Sequence, residues 1–379
     1  MANFFLRIFI GLLVFGSLGC TGKHLKYEKE DQLQQNEEFE QRVKIVEVPL
    51  DTGATGSSAA GDSGGVSQGA DKGPKKGEGT GARKDETKVL IEEKKNKKAK
   101  KSKKAKQSEG PALSAGVPAA DVSPTQREPD LEDSQGFNGQ RRPLVNPFRV
   151  GEEVVHKVYY DSHVVNFSAG TLSLKVDPLV EVNGRKSYQF LTSVKSSPWF
   201  SSYYAVDDTA VTLMDYDLLI PRVFTLHIKE SGQLREVRSF FDFDQNKATY
   251  WEKKVTEKSG VEEKKLQWDI LPYSQNVFSA IYYLRIFRWE VGREYSFRVS
   301  DETENLVFKA KALLRETLQT ELGPKVAIKI KPEFTVKGAF KPVGDIYIWI
   351  SDDDRKMVLR IECKIKIGSL VSEVTSITP

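Results

Sequence analysis

Residues 269–289 read DILPYSQNVFSAIYYLRIFRW, the one convincing helical pattern inside a long series of strand-like segments. Val277, Ala280, Ile281, Leu284 and Phe287 recur at three- and four-residue steps, which places them on one face of a helix. Pro272 and Ser274 supply a start signal, and Gly292 lies just beyond the expected end. An apolar stripe this full must be buried, and the surrounding strands are the partner on offer. The pattern predicts a helix near 274–289 packed on a large curved sheet.

From Val150 onward the chain reads as strand after strand. Thr171 to Val176 alternates polar with apolar, the period of a half-buried strand. Asn183-Gly184 is a hairpin signal, with Tyr188, Phe190 and Thr192 on the return strand. Ser231-Gly232 and Ser259-Gly260 mark two more turns, and Phe224, Leu226 and Ile228 alternate with polar residues just before the first of them. Tyr295, Phe297 and Val299 begin another strand, and further runs lie near 304–318 and 325–336. In the last pair Ile346, Ile348 and Ile350 share one face. After a turn at Ser351 to Arg355, strict alternation puts Met357, Leu359, Ile361, Cys363, Ile365 and Ile367 on one face as well. Cys363 is thus expected as a small core hydrophobe. More than ten strands and one helix give a β-rich α+β class. A sheet this wide must curl, split or close. The expected form is a large curled antiparallel sheet, a half-barrel wrapping the helix, with a closed barrel or a sandwich as the other arrangements.

Only part of the 379 residues can build that core. All five tryptophans fall after residue 145, whereas 21 to 144 is rich in Gly, Ser, Lys, Glu and Ala. Such a composition does not repay its ordering entropy. The expected organisation is a signal peptide over 1–19, a disordered Gly/Ser/Lys-rich tether over 20–144, and a β-rich domain over 145–379. In the tether, His24 to Leu50 has the composition of a transient helix. The opening MANFFLRIFIGLLVFGSLGC has signal-peptide geometry, with Arg7, an apolar run from Ile8 to Phe15, and small residues before Cys20. Gly19-Cys20 resembles the bacterial lipobox, in which the cysteine is acylated. That resemblance implies a lipid anchor at Cys20, stable because it carries several acyl chains. Thr21 stands where an Asp would signal inner-membrane retention, so the expected location is the outer membrane, facing the periplasm. The lysine run from Lys94 to Lys106 is either a solvated tail or a contact for an anionic envelope surface. An exported lipoprotein would rarely meet nucleic acid, so that partner is not expected.

The residues offer little chemistry. Two cysteines at opposite ends of the chain, Cys20 and Cys363, build neither a disulfide framework nor a metal cluster. Of four histidines, His24 is in the tether and His227 alternates out of an apolar face. His156 and His163 could meet only through a turn at Asp161-Ser162. No Gly-rich phosphate loop, G-x-S-x-G elbow or H-E-x-x-H motif is present, and no cofactor is called for. Asp207-Asp208 are adjacent and would point apart on a strand, and Asp352 to Asp354 suit a turn. Two features remain as candidate binding residues. Trp199, Phe200, Tyr203 and Tyr204 crowd into six residues after Pro198, either folding into the core or forming an exposed patch. Arg285 lies within the apolar helix. It is there as a snorkelling side chain, as a partner for a sheet carboxylate, or for an anionic ligand.

Several of these residues carry a family resemblance: Gly151-Glu152, Gly170, Trp199 to Asp207, Pro221 before a strand, Ser279 to Arg285, and Trp349 to Asp353. From about Pro147 to Ile377 the chain resembles the bacterial envelope family of domain of unknown function 3108. Met357 departs from the pattern, where relatives are expected to have Pro. The resemblance implies an exported β-rich domain and implies no reaction. The resulting expectation is a lipid-anchored periplasmic binding or assembly module with an unknown protein or lipid partner. Its rivals are a carrier or sensor for an apolar ligand and an envelope glycan hydrolase.

Overall fold

A computed structural model describes residues 36–48, 143, 145–162, 165–335, 345–365 and 368–379. Cys20, His24, His163, Ile367, the signal stretch and Lys94 to Lys106 lie outside them. A short helix α1 (Glu37–Arg42) and strand β1 (Ile45–Glu47) come first. The domain opens with β2 (Glu153–Asp161), β3 (Phe167–Val182) and β4 (Arg185–Ser196). One helical turn, α2 (Pro198–Ser201), leads into β5 (Asp207–Asp215), β6 (Pro221–Glu230), β7 (Gln233–Asp242), β8 (Lys247–Thr256) and β9 (Gly260–Asp269). Helix α3 (Val277–Tyr283) follows, continued by a 3-10 turn over Leu284–Ile286. The chain ends with β10 (Glu294–Asp301), β11 (Glu304–Thr320), β12 (Gly323–Thr335), β13 (Ile346–Ser351), β14 (Val358–Ile365) and β15 (Gly368–Thr378).

These strands form one antiparallel sheet in the order β10 to β15, then β2 to β9, with β1 added beside β3. Along that path each strand pairs with its neighbour in the chain, and β15 pairs with β2, so the two ends of the domain meet inside the sheet. The sheet is not closed: β9 and β10 are its edges, and α3 lies between them in the chain. Across this seam Trp268 Nε1 donates to Ser300 Oγ at 2.9 Å and Asn305 Nδ2 to the Asp269 carbonyl at 2.8 Å. Gln275 N donates to the Arg298 carbonyl, and Ser300 N to that of Gln275.

That use of Gln275 explains why the helix is shorter than 274–289. Residues up to Asn276 are spent crossing the seam, and Asn276 then caps α3 in a reciprocal box with Ser279. At the far end Phe287 is already extended, with ψ at 141°. The helix is also buried more fully than one stripe requires. From Val277 to Phe287 every residue is buried except Ile281, which is half-buried. A helix buried all round sits inside its partner rather than on it. Tyr282 stacks on Phe190 at 4.2 Å, and Tyr283 and Phe287 meet Phe297 at 5.1 and 5.8 Å.

The hairpin at Asn183-Gly184 has both residues at positive φ, 51° and 76°, as a two-residue turn between twisted strands demands. Two of the sheet's register shifts move residues from one face to the other. One lies between Asp177 and Val180, at Pro178, which has no amide to give to the ladder. It turns Val180 and Val182 to the outer face, whereas Leu172, Leu174 and Val176 face inward. The other sits opposite Trp349/Ile350, where Leu359 is the extra residue of β14. Val358, Ile361 and Cys363 therefore face the interior, while Met357 and Leu359 pack outside with Trp349. The single face expected for Met357 to Cys363 is thus corrected, and the buried Cys363 keeps its core position.

The boundary of the tether needs a correction as well. Within 20–144, residues 36–48 are docked on the domain's outer face. Phe39 and Val43 are 4% exposed against Val180, Val182, Leu213, Val223 and Trp251. Composition missed this because two apolar residues suffice when a surface already waits for them.

Candidate functional site

The aromatic cluster after Pro198 is built on α2. Ser197 caps the turn, accepting from Phe200 N at 3.2 Å and donating to the Ser168 carbonyl at 3.0 Å. Ser201 Oγ meets Ser196 Oγ at 2.7 Å, and Ser202 Oγ donates to the Trp199 carbonyl at 2.7 Å. One turn of helix divides the four aromatics between two environments. Phe200 is 2% exposed and stacks on Phe167 at 6.0 Å. Trp199 and Tyr203 face outward, 57% and 61% exposed, with their rings 5.2 Å apart. Phe167 supports Trp199 from below at 5.7 Å. The result is a two-ring platform held by a polar lattice of serines.

Tyr204 is half-buried and ties the platform to an acidic group. Its hydroxyl donates to Glu230 Oε2 at 2.7 Å, and Gln233 Nε2 donates to the same oxygen at 2.6 Å. Burial raises the Tyr204 phenol, with the Glu230 charge adding to it. Asp208 lies close to the same group. Its Oδ1 accepts from Lys229 N at 3.0 Å, and burial, then Glu230 and Asp207, push its carboxyl up to about 7. Asp207 instead turns outward, 3.6 Å from Lys195. Nearby, His227 pairs with Glu236, and that hydrogen bond raises the imidazole.

Arg285 faces inward. It pairs with Glu152, donates to the Pro147 carbonyl at 2.7 Å and to the Arg355 carbonyl at 3.1 and 3.0 Å, and lies 5.0 Å over the Phe148 ring. Arg355 reaches the other oxygen of Glu152. Of the roles open to Arg285, the structure shows the ion pair, with a carboxylate at the entry to β2. Glu152 and Arg355 were not legible as partners, although Glu152 stands in the Gly151-Glu152 signature.

Between α3 and β11–β14 lies an apolar void of about 30 Å³, lined by Ile281, Leu284, Phe308, Ile348, Ile361 and Cys363. Burial raises the Cys363 thiol. His156 is buried with Nε2 on the Val358 carbonyl at 2.9 Å, and burial lowers its imidazole to about 4. Asp353 holds the turn before β14, accepting from Arg355 N and Lys356 N at 3.0 Å. Among the described residues no group of three or more His, Cys, Asp or Glu could hold a metal ion, and no helix is long and apolar enough to cross a membrane.

No curated protein matches the sequence. Among solved structures the chain is similar to a β-barrel-like protein of domain of unknown function DUF1849 from Brucella abortus. The identity is 9%, the match covers 60% of this chain and 97% of that one, and the TM-score is 0.38. It is also similar to a candidate exported protein with a YmcC-like fold from Bacteroides fragilis, at 11% identity, 62% and 98% coverage and TM-score 0.29. A candidate lipoprotein from Parabacteroides distasonis gives 10%, 63% and 98%, and 0.24. The family model described as "Protein of unknown function (DUF3108)" matches residues 156–375, from the buried His156 in β2 almost to the end of β15. That span takes in the aromatic platform, the seam and the buried helix, and the chain belongs to the DUF3108 family.

Proposed function

We propose that this is a lipid-anchored binding or assembly module of the bacterial envelope, and that the Trp199–Tyr203 platform is its recognition face. The observation that carries the reading is the division of labour in α2. Phe200 fixes the turn in the core, while Trp199 and Tyr203 are held out in solvent. Exposed aromatics pre-positioned on a rigid support lose little entropy on binding, and such residues dominate the energetics of recognition. Asp207 and Asp208 turn to different surroundings, so these two do not form the converging pair that a glycosidase reading needs.

The test is in-envelope crosslinking with a photoreactive residue at Ser202, beside the two rings, followed by identification of captured proteins and lipids. A capture that is lost with Trp199→Ala/Tyr203→Ala, in a variant that melts like the parent, supports the proposal. Unchanged capture in that variant removes the platform from it. The anchor is tested separately: Cys20→Ala should leave the precursor uncleaved or release the mature chain from the membrane. An unchanged mass and unchanged membrane partitioning would refute lipidation.

A further inference from the structure

The docking of residues 36–48 is more specific than a stray contact. Asn36 caps α1, and Phe39 meets Trp251 edge-on at 5.9 Å. Glu38 accepts from Trp251 Nε1 at 3.0 Å and from Lys265 Nζ at 2.6 Å. Arg238 pairs with Glu40 at 2.7 Å while lying 5.2 Å over the Phe39 ring. The hairpin residue Asn183 has a second duty. Its side chain accepts from Lys44 N at 2.8 Å and donates to the Arg42 carbonyl at 3.0 Å. Beyond it, β1 adds to β3 in register, with Ile45 opposite Val182 and Val46 opposite Glu181. A buried aromatic anchor, charge pairs around it and an added strand are the marks of peptide recognition. The receiving surface exists because the bulge at Pro178 turns Val180 and Val182 outward.

We propose that the outer face of β3 and β5–β8 is a binding site for the chain's own residues 36–48, which dock as a separable ligand in cis. Anything that fastens residues 1–35 then holds the domain through this contact rather than through the chain that enters at Pro143. The consequence is reach. From Cys20 to Asn36 an extended chain spans at most about 55 Å, against about 400 Å for the path running on to Pro143. If Cys20 is the anchor, the domain stays within one molecular diameter or so of the surface. The docking itself rests on neither the lipid anchor nor the aromatic platform.

The experiment uses the full-length chain in detergent, with a protease recognition sequence inserted between Ala60 and Gly61 and then cut. The two pieces should co-elute on gel filtration at micromolar concentration. Phe39→Asp/Val43→Asp should lower the co-eluting fraction at least tenfold while leaving the far-UV circular dichroism of the domain unchanged. Separation of the unmutated pieces would overturn the proposal. A second measurement identifies the occupant. With Val46→Cys and Glu181→Cys in a Cys20→Ser background, a short bis-maleimide should close an intrachain bridge. A covalent dimer in its place would assign the segment to a second copy and overturn docking in cis.

Discussion

Arg285, on the 3-10 turn after α3, and Glu152, just before β2, form an ion pair in which the side chains are only 5% and 1% exposed. Arg355 binds the second oxygen of Glu152 from the turn before β14. One carboxylate thus joins the helix, the first domain strand and the hairpin between β13 and β14. A buried pair of this kind contributes little net stability over an apolar replacement, but removing one partner strands a charge. Glu152→Gln leaves two arginines without this counter-charge and should cost about 3–5 kcal/mol in urea unfolding at neutral pH. Arg285→Met should cost less, because Arg355 still serves Glu152. Equal losses for the two variants would contradict this ordering.

Gly170 has no room for a side chain. A Cβ there would lie 2.1 Å from the Lys195 carbonyl oxygen and 2.9 Å from Ser196 Cα, both backbone atoms of the paired strand. Gly170→Ala must therefore spread β3 from β4, beside the irregularity that already shifts β2 against β3 at Val158/Tyr159. The expected loss is about 1–3 kcal/mol, the usual range for overpacking. Gly232→Ala, at a turn with nothing within 4 Å, serves as the control and should change the melting temperature far less.

The platform makes a sharper separation within a few residues. Phe200→Ala deletes a core ring and should cost about 3–5 kcal/mol. Trp199→Ala and Tyr203→Ala should each stay within about 1 kcal/mol of the parent, since most of each side chain is already in water. Thermal melts of the three variants side by side decide the matter. A large loss for Tyr203→Ala would mean that the ring supports the fold and is not held out for a partner.

What was legible in the sequence was local. The Asn183-Gly184 turn declares itself because two positive φ values are needed and only such residues supply them cheaply. Helix α3 declares itself by its period, yet not its extent, because Gln275 is used to bridge to β10 rather than to continue a helix. What was illegible depends on distant partners. Phe39 finds Trp251, Arg285 finds Glu152, and no local pattern announces either. The bulges at Pro178 and Leu359 exchange inside for outside, so alternation read through them puts residues on the wrong face. Trp199 and Tyr203 were recognisable as part of a dense cluster. Their exposure follows from the capped turn at Ser197, which decides which ring points into the core.

Asp208 gives the domain a pH dependence whose sign can be worked out. Its carboxyl is raised from 3.8 to about 7, first by burial and then by the charges of Glu230 and Asp207, with the Lys229 amide and His227 opposing. The folded protein therefore holds this proton more tightly than the unfolded chain does. Between about pH 4 and pH 7 the native state holds more of this proton, so the Asp208 contribution to stability must fall as pH rises across that window, while the buried His156, lowered to about 4, contributes in the opposite sense. The fall attributable to Asp208 should be on the order of 3 kcal/mol, since each tenfold change in proton affinity is worth about 1.36 kcal/mol. Asp208→Asn keeps an acceptor for Lys229 N, removes the charge, and should flatten the profile. His227 acts in the same direction but higher. Its imidazole is raised chiefly by the Glu236 hydrogen bond, so its contribution is complete below the unfolded value of 6.5 and is lost as pH rises above it. Urea unfolding at pH 5.0, 6.5 and 8.5 for the parent, Asp208→Asn and His227→Gln separates the two. Relative to the parent, the first variant should lose a falling component below pH 6.5, leaving the contributions of Asp301 and His156, and the second a falling component above it. Profiles of the parent and Asp208→Asn that run parallel from pH 5.0 to 6.5 would show that the buried carboxyl does not hold its proton.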